Sequence, residues 1–282
     1  MNGIIIVNKE KGYTSRDVVN IISKILKTKK VGHTGTLDPI AEGVLVICVG
    51  KATKLCDYLT SSYKEYIAEF DLGYLTDTLD NTGIKLKTSN KVVLEEEIYD
   101  VIKSFCGEYE QVVPKYSAIK VNGKKLYEYA RNNENIDLPS RKVDIKSIDI
   151  IYVRNNTVKI KCTVSKGTYI RSLIRDIGDK LGTYATMTSL VRTKQGEFDI
   201  SNSNTLDEIE SGQYKFISLN ELFSKYYKIN LDDVLYKKIS NGMEYNISVD
   251  DDYITFYYNN LLVAIYKKEK TDIFKPFIMI NF

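Results

Sequence analysis

The sequence predicts an α+β fold with a mixed central β-sheet, followed by a small C-terminal β module. Strand-like apolar runs alternate with amphipathic helical segments, without the regular βαβ rhythm of a parallel sheet. Asn-Gly and Asn-Asn pairs separate strand-like runs, as is typical of tight hairpin turns. Near residue 228 the composition changes to short apolar runs rich in tyrosine. We therefore predict two domains, residues 1–228 and residues 229–282.

The first elements follow from the apolar pattern. Residues 3–8 form an apolar run that predicts a buried strand. Thr14 and Asp17 have the spacing of a capping box, which predicts the start of a helix. Residues 32–43 are too rich in Gly for either regular element, so they predict a loop. Residues 44–50 then predict a second buried strand followed by a helix.

Four further elements are predicted in the middle of the chain. Apolar and polar residues alternate over 66–72, which indicates a strand with one covered face. Residues 94–105 carry glutamates near the start of an amphipathic segment, which favours a surface helix. Residues 142–165 predict a hairpin, and residues 169–181 predict a helix that Gly182 ends.

Composition excludes several classes of chemistry. His33 is the single histidine, which argues against multi-histidine metal sites and a Ser-His-Asp triad. The four cysteines are scattered without a paired motif, so we expect reduced thiols in the cytoplasm, with no disulfide framework and no metal site. No apolar run approaches the roughly 20 residues of a membrane helix. The chemistry is therefore expected to depend on carboxylate, Lys, Arg and Tyr groups.

Positive charge is concentrated in one part of the chain. Residues 113–175 contain fourteen Lys and Arg against five Asp and Glu, a balance of +9. Tyrosines are interleaved with these cations, and positive charge with flat rings is what single-stranded nucleic acid binding requires. A solvated surface is the alternative interpretation. Lys124 and Lys125 are the predicted phosphate contacts of this segment.

The loop GHTGTLDPIAEG contains one carboxylate that could act chemically. It lacks the GxxxxGK[ST] pattern of a Walker loop, and no GxGxxG follows a strand. Asp38 lies between a Gly-rich turn and Pro39, just before a buried strand, which is a rigid position for a catalytic group. An ordinary Asp-Pro turn is the other interpretation.

The sequence resembles the tRNA pseudouridine synthase B family. GHTGTLDPIAEGVL resembles the family's catalytic loop, and five other stretches agree in order and spacing: KGYTS (11–15), KEYIAEFDLG (64–73), TDTLDNTG (76–83), YSAIKVNGKKLYEYAR (116–131) and SKGTYIRSLIRDIG (165–178). Together they extend over about the first 195 residues. Glu10 departs from the proline that is usual after the lysine of the first motif. The C-terminal module shows a weaker resemblance to a PUA domain.

The resemblance implies a pseudouridine synthase fold in which Asp38 is the essential catalytic carboxylate. The implied reaction breaks the uracil N1–C1′ bond, rotates the base and joins C5 to C1′, without cofactor or metal. Arg171 is implied to be the counterion of Asp38. Tyr66 is implied to stack on the uracil and to act catalytically near C5 during proton loss. Covalent attack and removal of the 2′ proton both remain open for Asp38.

The remaining implied residues bind the nucleotide. Tyr169 and Leu190 are implied to line the pocket, and His33 to help enter the T loop of tRNA and hold the extruded nucleotide. Because the target base lies inside a folded loop, it must be flipped out and stacked on something.

The implied substrate is uridine 55 in the T-arm of tRNA, modified by a cytoplasmic monomer that needs no protein partner. Three alternatives stay open at this point. They are a tRNA chaperone without turnover, a guide-dependent synthase acting on ribosomal RNA, and an Asp-dependent glycosidase. The last would need a second carboxylate, and no candidate pair is evident.

Overall fold

A computed structural model of the chain describes residues 1–280 and confirms the predicted N-terminal elements. Strand β1 spans Gly3–Lys9, and helix α1 spans Ser15–Ile25. Helix α1 begins with the predicted capping box. The backbone N–H of Asp17 donates to the Thr14 hydroxyl, and the Asp17 carboxylate accepts from the N–H of Thr14.

The elements that follow in the first 222 residues are β2 (Val31–His33), β3 (Glu42–Val49), α2 (Cys56–Thr60), β4 (Lys64–Leu72), β5 (Tyr74–Thr76), β6 (Lys85–Thr88), α3 (Glu95–Lys103), β7 (Gly107–Val112), β8 (Lys120–Val121), β9 (Lys124–Lys125), α4 (Leu126–Arg131), β10 (Ser140–Arg154), β11 (Thr157–Val164), α5 (Ile170–Lys180), β12 (Ala185–Gln195), β13 (Phe198–Asp199), α6 (Leu206–Glu210), β14 (Phe216–Ser218) and α7 (Leu219–Leu222). The predicted helices at 94–105 and 169–181 and the predicted hairpin at 142–165 are confirmed as α3, α5 and the pair β10–β11.

The large sheet is mixed, as predicted. Its strand order is β14-β1-β3-β12-β4-β11-β10-β7, with β2 added beside β3 and β13 beside β12. Neighbouring strands are antiparallel except β3 and β12, which run parallel. This parallel pair joins the loop before β3 to the strand that follows α5. The connection brings distant parts of the sequence to one region of the sheet.

Two parts of this sheet differ from the sequence prediction. The predicted loop at 32–43 is regular at both ends, because His33 belongs to β2 and Glu42 begins β3. Strand β12 was not predicted, although it lies at the centre of the sheet. Threonine, serine and arginine side chains interrupt its apolar pattern, so neither alternation nor a continuous apolar run is visible in the sequence.

The strands at the N-terminus are buried on both faces. In β1, Ile5 and Val7 pack into a core with helices α1, α3, α5 and α6. Ile4 and Ile6 point to the opposite face and pack against α2, α7 and the C-terminal module. This arrangement explains the continuous apolar run of the strand. Within residues 1–280 every helix is too short or too polar to cross a bilayer.

The C-terminal module is a second sheet with one helix. Its elements are β15 (Tyr227–Asn230), α8 (Asp233–Ser240), β16 (Tyr245–Asn246), β17 (Tyr253–Tyr258), β18 (Leu261–Lys270) and β19 (Ile273–Met279). The strand order is β15-β17-β18-β19-β16. Asn259 and Asn260 form the β17–β18 turn with positive φ values of 51° and 63°. Helix α8 lies where the sequence indicated only strands, and residues 281–282 of the predicted module lie outside the described residues.

The module shares a hydrophobic core with the large sheet. Tyr253, Ile265 and Ile278 pack with Ile4 and Val46 in a single cluster of buried side chains. Across the same boundary, the ammonium of Lys51 donates to the carbonyl of residue 280 at 2.6 Å. The two parts of the chain therefore stabilise each other.

We expect Ile265→Ala to destabilise the whole chain, because Ile265 is fully buried at this shared boundary. The free energy of unfolding should fall by about 2–5 kcal/mol in one cooperative transition, measured by calorimetry. Leu261→Ala is the control, since Leu261 is 63% exposed. A separate early transition confined to the module would contradict shared packing.

Candidate active site

The loop between β2 and β3 is fixed by contacts with the segment around α1. The hydroxyl of Ser15 accepts from the N–H of Leu37 at 2.8 Å and donates to its carbonyl at 3.2 Å. The N–H of Gly12 donates to the carbonyl of Pro39 at 2.7 Å. Leu37 is buried on one side of Asp38. The backbone of this loop is therefore held in place while the Asp38 side chain stays one-third exposed.

Asp38 is paired with Arg171. Arg171 Nε lies 2.9 Å from Asp38 Oδ2, and the arginine side chain is only 6% exposed. Its Nη1 donates to the carbonyl of Thr78 at 2.9 Å, and its Nη2 donates to the carbonyl of Tyr116 at 3.1 Å. Arg171 lies in the first turn of α5, where the helix dipole disfavours a cation. The contacts to Asp38 and the two carbonyls compensate for this position.

Asp80 is a second carboxylate on the same guanidinium. Its Oδ2 lies 3.9 Å from Arg171 Nη1, and its side chain is 7% exposed. The Thr78 hydroxyl and the N–H of Thr82 donate to its Oδ1 at 2.8 Å and 3.0 Å. Leu79, just before it, has a positive φ of 66°, which is rare for a branched residue. The TDTLDNTG stretch is part of the family resemblance, but no role for Asp80 was predicted from the sequence.

A cavity of about 460 Å³ opens beside Asp38. Five of the residues singled out from the sequence line it together: Asp38, Tyr66, Tyr169, Arg171 and Leu190. They come from the loop between β2 and β3 (the predicted catalytic loop), from β4, from the start of α5 and from β12. The cavity therefore combines the Asp38–Arg171 ion pair with aromatic, apolar and further polar side chains.

Two of the aromatic residues are held by the sheet and by α5. Tyr66 is 7% exposed and lies on β4 opposite Arg192 of β12. Tyr169 caps α5, and its backbone N–H donates to the amide oxygen of Gln111 at 2.8 Å. Burial raises the pKa of Tyr169. The guanidiniums of Arg141 and Arg171 lower this pKa by smaller amounts. The phenol therefore remains neutral at physiological pH.

His33 lies at the end of β2, outside the cavity wall. Its Nδ1 accepts a hydrogen bond from the N–H of Gly35 at 3.3 Å. Burial lowers the pKa of His33, and the guanidiniums of Arg16 and Arg192 lower it further. The imidazole is therefore neutral and supports the start of the catalytic loop.

Lys124 and Lys125 also lie outside the cavity wall. Lys124 Nζ contacts both carboxylate oxygens of Glu134, at 2.6 Å and 2.7 Å, and lies 4.5 Å from the ring centre of Tyr129. Lys125 Nζ lies 5.4 Å from the ring centre of Tyr127, which does line the cavity. The two lysines thus belong to the segment that forms one wall of the pocket.

Lys64 is a pocket residue that sequence reasoning missed. It lies on β4 two residues before Tyr66, on the same face of the strand, and is 7% exposed. Its Nζ donates to the carbonyls of Thr60 at 2.8 Å and Ser62 at 3.0 Å. Burial, and then the nearby Arg192, lower the pKa of Lys64 from 10.5 to about 8. The alternation along β4 places Lys64 on the buried face with Tyr66, but a lysine is normally assumed to be exposed.

Arg192 is the second missed residue, and it is almost fully buried. It lies on β12, lines the cavity and is 1% exposed. Its Nε donates to the carbonyl of Val44 at 2.6 Å, and its Nη2 donates to the carbonyl of Gly35 at 3.1 Å. Arg192 therefore ties β12 to β3 and to the catalytic loop.

Comparison with known families agrees with this arrangement. The description "TruB family pseudouridylate synthase (N terminal domain)" matches residues 23–170, more than half of the chain. The chain belongs to the TruB family. A second match, to the tRNA pseudouridylate synthase B C-terminal domain, covers residues 171–235. Arg171 thus begins the second matched region of this TruB-family chain, while its partner Asp38 lies in the first.

Relatives cover nearly the whole TruB-family chain. A tRNA pseudouridine synthase B of Clostridium tetani is 47% identical over 247 residues, 86% of each protein. A tRNA pseudouridine synthase B of Fusobacterium nucleatum is 44% identical over 286 residues, covering 95% of this chain and 99% of the relative. Among solved structures, an H/ACA RNP bound to a substrate RNA containing 2′-deoxyuridine has a TM-score of 0.69 at 25% identity. That match covers 99% of this chain and 84% of the other.

We expect the buried ammonium of Lys64 to make stability depend on pH. Its pKa of about 8 in the folded chain is below the ordinary 10.5, so the unfolded chain holds more protons between these values. This lysine therefore makes the folded state relatively more stable as pH rises from 8 to 10. Lys64→Met should remove up to about 1 kcal/mol per pH unit from that slope, measured by urea unfolding.

Lys103→Met is the control for this measurement, because Lys103 is an exposed lysine on α3. It should leave the slope equal to that of the wild type. Equal slopes for Lys64→Met and the wild type would contradict a folded-state pKa near 8.

Proposed function

We propose that this chain converts uridine to pseudouridine at position 55 in the T loop of tRNA. The observation that carries the proposal is the Asp38–Arg171 pair beside an aromatic-lined cavity, in a chain that belongs to the TruB family. Curated relatives over 40% identical carry the name tRNA pseudouridine synthase B. The cavity volume suits a single flipped nucleotide.

Asp38 is the proposed catalytic carboxylate. Its Oδ2 is held by Arg171 Nε, while no side chain within residues 1–280 donates a hydrogen bond to its Oδ1. Oδ1 can therefore attack C1′ of the ribose or accept the 2′ proton. In either route the N1–C1′ bond breaks, the base rotates and a C5–C1′ bond forms. In the covalent route the Oδ1–C1′ bond breaks as C5 attacks C1′, and in the other route Asp38 returns the proton to C2′. Loss of the C5 proton and protonation of N1 complete the isomerisation.

The cavity walls hold the base during rotation. We assign stacking on the uracil to Tyr66, which lies on the pocket floor on the rigid strand β4. Tyr169 and Leu190 complete the wall that keeps water from the reacting ring. His33 ends β2 directly before the catalytic loop and is not part of the cavity wall, so we assign it contact with the T loop outside the pocket.

We also propose that the C-terminal module, predicted as residues 229–282 although its first strand β15 begins at Tyr227, is a PUA-like surface for tRNA away from the T loop. Its short strands and turns suit a small binding module, and the catalytic groups all lie earlier in the chain. Asp38, Tyr66 and Arg171 all belong to this one chain, and we propose that it acts as a monomer without a protein partner. A tRNA substrate supports a cytoplasmic location.

Asp38→Asn tests the catalytic assignment. Asparagine has the same shape and can still accept from Arg171, so folding and tRNA binding should be unchanged. The amide cannot act as nucleophile or base, so kcat should fall by at least about 10³-fold. Turnover is measured by mapping pseudouridine in an unmodified tRNA transcript.

Asp57→Asn is the matched control, because Asp57 is an exposed residue at the start of α2. It should turn over at the wild-type rate. Wild-type turnover by Asp38→Asn would overturn the proposed mechanism, and a wild-type protein that leaves position 55 unmodified would overturn the proposed substrate.

Lys124 and Lys125 are proposed to contact phosphate. In the free protein Lys124 holds Glu134, so an RNA phosphate would have to replace that carboxylate. Replacing both lysines by Ala should reduce the slope of log affinity against log salt by up to about 2. Replacing Glu134 by Gln should instead strengthen binding at low salt. An unchanged slope in the double variant would mean that this segment does not touch phosphate.

A further inference from the structure

Two buried cations in the pocket have no carboxylate partner. Lys64 and Arg192 are 7% and 1% exposed, and within residues 1–280 neither forms an ion pair. Their hydrogen bonds go to backbone carbonyls instead. Asp38 lines the same cavity, but its Oδ2 is already held by Arg171.

Arg192 Nη1 and the side chain of Lys64 both border one small space beside Gly35. A β-carbon placed on Gly35 would lie 3.5 Å from Arg192 Nη1, 3.5 Å from Lys64 Cε and 4.0 Å from Gln195 Oε1. No group within residues 1–280 forms a hydrogen bond with Arg192 Nη1. Gln195 Oε1 is a buried acceptor without a donor. The unused donors of Arg192 Nη1 indicate that this space receives an acceptor group on the Arg192 side.

The energetic cost of burying two cations indicates that the bound group is negatively charged. Burying an ammonium and a guanidinium side by side costs stability, because each loses its hydration and repels the other. The pKa of Lys64 near 8 still leaves it charged at pH 7. The free-energy cost of burying these positive charges is compensated when an anion binds. A flipped nucleotide brings a phosphate on each side of its ribose.

We propose that Lys64 and Arg192 form a subsite for one of the two phosphates that flank the flipped uridine. The guanidinium edge of Arg192 supplies directed donors, and Lys64 supplies a point charge. Gly35 leaves room for the phosphate, because any side chain at this position would enter the same space. The subsite rests on the proposed function, since the phosphate arrives with the RNA substrate.

The test is a coupling measurement between protein and RNA. T-arm hairpins are made with one neutral methylphosphonate, either 5′ or 3′ of the target uridine, beside an unmodified hairpin. Wild type, Lys64→Met and Lys103→Met are compared by KM and kcat. For the wild type, neutralising the contacted phosphate should raise KM at least about 10-fold, and neutralising the other much less.

In Lys64→Met the contacted phosphate should matter little, because its charged partner is already missing. KM should be high for the unmodified hairpin and almost unchanged by the methylphosphonate, with kcat within a few-fold of wild type. Lys64→Arg should restore most of the affinity. Lys103→Met should keep the full wild-type sensitivity.

The proposal is contradicted if the Lys64→Met change and the methylphosphonate weaken binding independently of each other. If the same methylphosphonate raises KM equally in wild type and Lys64→Met, or neither position affects the wild type, the subsite is refuted. Conversion of the unmodified hairpin by the wild type reports the proposed function independently. A circular dichroism melt of each variant separates loss of contact from loss of fold.

Discussion

The guanidinium of Arg171 is the group on which the pocket depends. It contacts Asp38, the carbonyls of Thr78 and Tyr116, and approaches Asp80. These contacts join the catalytic loop, the segment after β5 and the wall before β8 to the first turn of α5. A planar group with fixed donor directions can hold all of them, whereas a single ammonium cannot. The position of Asp38 is therefore set by a side chain more than a hundred residues away.

Several buried charges around the Asp38–Arg171 pair are in electrostatically unfavourable positions. Lys64 and Arg192 are buried together without a carboxylate, and Arg171 occupies the wrong end of a helix dipole. The burial of Lys64 and Arg192 lowers the stability of the free protein, whereas Asp38 and two backbone carbonyls compensate for the position of Arg171. Lys64 and Arg192 become favourable only when a negative group binds, which we propose is a phosphate of the substrate.

Packing compensates for these costs elsewhere. Strands β1 and β3 are buried on both faces, by helices on one side and partly by the C-terminal module on the other. Ile265 and Ile278 of the module contribute to the same cluster as Ile4 and Val46 of the large sheet. The module therefore stabilises the sheet that carries the catalytic loop, in addition to any contact it makes with RNA.

The sequence by itself determined the local elements and the loop that carries Asp38. The capping box at Thr14, the apolar run of β1 and the helix ended by Gly182 are short-range patterns, so they could be predicted. Strand β12 could not, because polar residues interrupt its apolar pattern and one of them, Arg192, faces a pocket that exists only after β3, β4 and α5 meet. For the same reason Lys64 and Arg192 were missed. Their burial is a property of the assembled sheet, and only the tertiary structure decides which charges lose contact with water.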